Sequence, residues 1–104
     1  MALTRKFRDT VQARAKRDKA FRVALFREAL QSLVQGDVDT GKSVLRDYIN
    51  ATIGFEGLSA ATGTPAKSLM RMFGPRGNPQ ARNLLAVVGR LQDATGVRIE
   101  VKAA

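Results

Sequence analysis

Lys67 and Arg71 stand four residues apart, and their type and spacing point most directly to chemistry. On a helix they share one face, while Leu69, Met72 and Phe73 share another by i, i+3, i+4 spacing. Long cationic side chains reach phosphates and base edges, and a bidentate Arg–guanine contact is worth about 1–3 kcal/mol of discrimination. A helix anchored on one flank and cationic on the other suits a DNA major groove. The residues before it are those that would hold such a helix in place. Phe55–Thr62 reads as a short helix, and Gly63 takes the positive φ at which that helix stops. Thr64 is a good N-cap, and Pro65 suits the first helical position, where its missing N–H costs nothing. The stretch Phe55–Phe73 therefore reads as a helix-turn-helix.

Two other chemistries are weaker. Gly36–Ser43 fits the phosphate-loop pattern GxxxxGK[ST] letter for letter. That loop works only between a β-strand and a helix of a parallel sheet, and the residues before Gly36 read as helical. Gly36 instead ends one helix, while Asp37, Asp39 or Thr40 caps the next. Enzymatic chemistry has little to draw on, because the chain has no histidine and no cysteine. The commonest general base, thiol chemistry and most zinc arrangements are gone, so the expectation is a non-enzyme with no catalytic residue, metal or cofactor.

Eighteen Lys+Arg against nine Asp+Glu give 104 residues a net charge of +9 and a pI near 11.1. That balance suits a polyanionic partner, nucleic acid before a membrane surface. No apolar run approaches the ~20 residues of a membrane span, and Met1–Arg8 leads into no signal-peptide core, so a cytoplasmic protein is expected.

The remaining elements follow from periodicity. Met1–Arg17 is basic, with Phe7, Val11 and Ala15 at four-residue spacing. It reads as a helix whose charge is a solvated face, a DNA-backbone arm or a partner-binding surface. Asp18 can cap a second helix, Lys19 to about Val34, with stripes Phe21/Leu25/Ala29/Leu33 and Phe26/Leu30/Val34. So wide an apolar arc predicts two contacts: the rest of the domain and, for the second, more core, another copy or a different protein. Thr40–Ala51 is the third helix, facing inward through Val44, Leu45, Tyr48 and Ile49. After the helix-turn-helix, Gly74–Pro79 is a dense cluster of turn residues, with Asn78 as N-cap and Pro79 just inside the last helix. That helix turns Leu84, Leu85, Val88 and Leu91 to the core and stops at Gly96.

Val97–Lys102 alternates apolar and charged residues, the pattern of a half-buried strand. With no second strand in the chain, its expected partner is the same strand of another copy, paired antiparallel through Val97, Ile99 and Val101. The division expected is an N-terminal helical extension (1–36), a DNA-binding domain (37–95) and a C-terminal dimerisation strand and tail (96–104).

Charge is uneven along the second half. No acidic residue lies between Glu56 and Asp93, whereas Lys67, Arg71, Arg76, Arg82 and Arg90 all do. Such a window is what phosphate contact calls for.

Gly36-Asp37, Val44–Ile49, Leu58–Gly63, Ser68–Phe73, Gly77-Asn78-Pro79 and Gly96–Val101 together resemble the HigA-like addiction-module antidote proteins of the lambda-repressor-like (XRE) helix-turn-helix class. The likeness covers roughly 19–102. It implies an all-α lambda-repressor-like bundle that binds double-stranded DNA at its own promoter as a homodimer, often with a toxin it neutralises. By that resemblance the outward positions of the recognition helix are Thr64, Ala66, Lys67, Ser68 and Arg71. Arg76, Asn78, Gln80 and Arg82 would hold the DNA backbone, helped by the start of the last helix. The competing reading is a protein-interaction module in which DNA binding is secondary.

Overall fold

The computed structural model describes residues 5–104 as six helices: α1 (Arg5–Arg17), α2 (Lys19–Val34), α3 (Val38–Ala51), α4 (Gly54–Thr62), α5 (Ala66–Met72) and α6 (Ala81–Thr95). The part of the N-terminal helix expected at 1–4 lies outside the described residues. Several ends sit where local chemistry puts them. The Asp18 carboxylate accepts from Phe21 N and the Asp37 carboxylate from Thr40 N, each capping its helix. Gly63 and Gly96 end α4 and α6 at φ 75° and 74°. Two starts fall later than the turn residues suggest. Pro65, not Thr64, occupies the N-cap of α5, and Gln80, not Asn78, that of α6; neither makes a side-chain cap bond.

One core runs from Phe26 and Ala29 in α2, through Leu45, Tyr48 and Ile49 in α3, to Leu84, Val88 and Leu91 in α6. Its centre is a stack of Phe26 on Tyr48, with ring centroids 4.6 Å apart and planes 12° off parallel. The Tyr48 hydroxyl donates to Thr95 Oγ1, and Thr95 in turn donates to Leu91 O, so the buried phenol is satisfied. Leu85, expected inside, is exposed, and Val87 takes the inward position.

The wide apolar arc of α2 meets two other helices of the chain over most of its length, with Val34 left exposed at its end. One side packs on α3 and the other on α1. A glycine makes the first contact close: a Cβ on Gly41 would lie 2.5 Å from Leu33 Cδ2 and 3.2 Å from Ala29 O. The contact of α1 is largely polar, because Ala15 is the buried residue of that helix. Gln12 donates to the buried Asp47 carboxylate, and Arg8 lies 4.0 Å from it while donating to Ser43 Oγ. At the joint, Arg22 donates to the Ala15 and Lys16 carbonyls at the end of α1, and Arg14 sits over the Phe21 ring.

The C-terminal strand is not formed; no β-strand occurs among the described residues. Val97 and Ile99 do face inward, but onto the helical core. The Ile99 N–H donates to Gln92 Oε1, and Arg98 pairs with Asp93 at 2.8 Å, so the segment is pinned along α6 of its own chain. Val101 is 90% exposed. The alternation marks an extended segment with one face covered, and the covering surface is a helix. The pairing of Val97, Ile99 and Val101 across a dimer therefore lacks its strand.

Burial raises the Tyr48 phenol above its ordinary 10.0, while the Thr95 hydrogen bond and the Arg22 charge pull partly the other way. The folded chain thus keeps that proton at pH values where the unfolded chain has lost it. This contribution to stability is complete below pH 10 and lost as pH rises beyond it. Urea midpoints compared at about pH 9 and about pH 11 should fall less for Tyr48→Phe than for the wild type. Equal falls would mean that the phenol does not titrate differently in the two states.

Candidate nucleic-acid interface

Helix α4 is anchored by Phe55 and Leu58, and α5 by Leu69 and, at its C-cap, Phe73; all four are buried. Phe55 and Phe73 meet at 6.3 Å between ring centroids, tying the two helices across the Gly63 turn. Within that turn the Thr64 N–H donates to Thr62 Oγ1, whose hydroxyl also donates back to Leu58 O. The inward side of α5 is therefore set by two large apolar residues, with Met72 partly buried beside them.

The opposite side carries Lys67, Ser68 and Arg71, all exposed. Neither Lys67 nor Arg71 meets a carboxylate within ion-pair distance among the described residues. Two of the expected outward positions lie elsewhere. Ala66 is half-buried against the core, and Thr64 is half-buried in the turn. Met70, on the same short helix, is 48% exposed.

Arg76, Asn78, Gln80 and Arg82 are all exposed. A groove of about 260 Å³ separates α5 from the start of α6, lined by Ser68, Arg71, Arg76, Asn78 and Asn83 among others. It brings the recognition and backbone residues onto one surface for Ser68, Arg71, Arg76 and Asn78. Gln80 and Arg82 stand next to it in sequence but do not line it. Asn83 is an addition; it sits one turn into α6 from Gln80, a spacing that could have suggested it.

What fixes the loop between α5 and α6 comes from the rejected phosphate-loop letters. Lys42 is 3% exposed, and its ammonium donates to Gly74 O at 3.2 Å and to Gly77 O. Asp39 lies 3.9 Å from it, but that carboxylate is 96% exposed and adds little. A lysine taken out of water needs acceptors, and these two carbonyls supply them. Gly77 lets the loop come this close. A Cβ there would stand 2.3 Å from Arg71 O and 2.5 Å from Met72 O, so any side chain would push the loop off the end of α5. Lys42 is thus a positioning residue for the segment that carries Arg76 and Asn78. Periodicity could not have shown this, since it links residues more than thirty apart.

The arrangement is a cationic, carboxylate-free surface on a buried apolar base, with no cluster of His, Cys, Asp or Glu able to hold a metal among the described residues. No helix among the described residues is long and apolar enough to cross a membrane. No protein-family profile, curated protein or solved structure matches the chain.

Replacing Lys42 by Met keeps the stem and removes the donor, leaving the Gly77 carbonyl without it while Gly74 O keeps only the Gly77 N–H. The variant should unfold with a loss of about 2 kcal/mol, read from urea denaturation. Asp39→Ala should change stability by no more than about 0.5 kcal/mol. If the two variants behave alike, the carbonyl contacts are not what holds the loop.

Proposed function

We propose that the protein is a sequence-specific regulator that binds double-stranded DNA through α5. The observation that carries this reading is the outer face of α5, where Lys67, Ser68 and Arg71 are exposed while Leu69 and Phe73 are buried beneath them. Side chains so placed can enter a major groove without displacing any part of the core. Arg76 and Asn78 line the groove beside Arg71, Arg82 is exposed in the first turn of α6, and the start of that helix adds backbone N–H groups that favour phosphate oxygens. The whole segment from Gly57 to Gln92 lacks an acidic residue, so nothing in it repels a phosphate backbone.

In this reading Arg71 and Lys67 read base edges and Arg76 and Arg82 neutralise phosphates. The antitoxin component, repression of its own promoter with a toxin and a second copy as partners, rests on the sequence resemblance alone. The partner-binding alternative drew on the wide apolar arc of α2. Helices α1 and α3 pack on much of that arc, while Val34 at its C-terminal end stays exposed.

A gel shift on the DNA upstream of its own coding sequence should weaken steeply with salt. Lys67→Ala and Arg71→Ala should each cost about 1–3 kcal/mol in discrimination between that DNA and random duplex. Arg76→Ala and Arg82→Ala should weaken both duplexes together and reduce the salt slope by about one each. Undiminished preference in the Lys67/Arg71 double variant, with its helical spectrum unchanged, would sink the assignment.

A further inference from the structure

On the other side of the loop that Lys42 holds is a cavity of about 400 Å³ bounded by α1, α3 and the start of the α5–α6 loop. Its wall is apolar at Phe73 and Pro75, and its polar groups are Arg8, Lys42, Ser43, Arg46 and Asp39. The balance of donors and acceptors there is one-sided. Arg46 is half-buried, yet its guanidinium makes no hydrogen bond or ion pair with any described residue. Ser43 accepts from Arg8 at 2.9 Å, which leaves its own O–H free to donate. Arg8 is held in place by that bond and by Asp47 at 4.0 Å, and it still has N–H groups to spare. The one carboxylate on the cavity, Asp39, points almost wholly into solvent.

We propose that this cavity binds a phosphate group. Two arginines and a serine line it, and guanidinium forks match phosphate oxygens in pairs. Lys42 adds positive charge behind them while its protons stay on the Gly74 and Gly77 carbonyls. The space exceeds what a bare ion fills, and the exposed Pro75, with the buried Phe73 behind it, gives an attached organic group an apolar edge to lie against. The shared chemistry is a phosphate ester, supplied either by a free phosphorylated small molecule or by the backbone of a nucleic acid. The site stands apart from the groove beside α5 and does not depend on the DNA-binding reading.

Titration of the isotopically labelled full chain with inorganic phosphate and with phenyl phosphate, followed by amide NMR, tests it. Saturable shifts should appear at Ser43, Arg46 and Gly74, with phenyl phosphate binding more tightly than inorganic phosphate. Arg46→Ala removes a side chain that makes no hydrogen bond or ion pair with a described residue, so the fold should survive, and phenyl phosphate affinity should drop about tenfold. Lys102→Ala, an exposed cation on the tail, should leave it unchanged. Shifts scattered over the basic surface without saturation, or full affinity in Arg46→Ala, would overturn the site. A random-sequence duplex identifies the source: if it moves the same three amides and competes with phenyl phosphate, the occupant is nucleic-acid backbone. If the duplex leaves them unmoved while phenyl phosphate binds, the occupant is a free phosphorylated molecule.

Discussion

An ammonium group removed from water must be given oxygen, and in this fold that requirement links parts of the chain that sequence keeps far apart. Lys42 sits in α3 beneath the α5–α6 loop, and the oxygens within its reach include the Gly74 and Gly77 carbonyls. Those carbonyls can arrive only because Gly77 lies flat against the last carbonyls of α5. The loop therefore cannot drift without stranding a charge, and with it Arg76 and Asn78 hold their position beside Arg71. The same lysine forms the floor of the cavity on the loop's far side. A single buried charge thus underlies both surfaces to which a function can be attached.

Much of the helical layout could be read from local chemistry. Asp18, Gly63 and Gly96 do what their side chains, or lack of one, permit, and the inward residues Leu69 and Phe73 follow from spacing. The errors have a common physical source, which is that a local pattern does not say what lies opposite. Val97–Lys102 alternates because one side is covered, yet its cover is α6, and the Ile99 N–H is satisfied by a glutamine side chain. Thr64 and Asn78 are good caps in isolation, but the turns continue past them before the helices begin. Ala66 counts as outward by the family resemblance, whereas its spacing of three from Leu69 and seven from Phe73 puts it on their inward face, where it packs against the core.

The phosphate-loop letters teach a related lesson. Without a strand before it the motif has no phosphate-cradling backbone, and its residues have separate structural duties. Asp37 caps α3, Gly41 lets α2 and α3 approach, and Lys42 holds the distant loop. None of these duties is visible without the helices that surround them. The exposure of Lys67 and Arg71, in contrast, follows from residues within one turn of each. The candidate recognition face was for that reason the more legible part of the site.

The way α1 is attached has a consequence for how the molecule breathes. Its grip on the rest consists mainly of polar bonds to Asp47, Ser43 and the Arg22 side chain, with one small apolar residue fully covered. Any opening in which α1 lifts away would take Arg8 with it and turn a walled cavity into an open shelf.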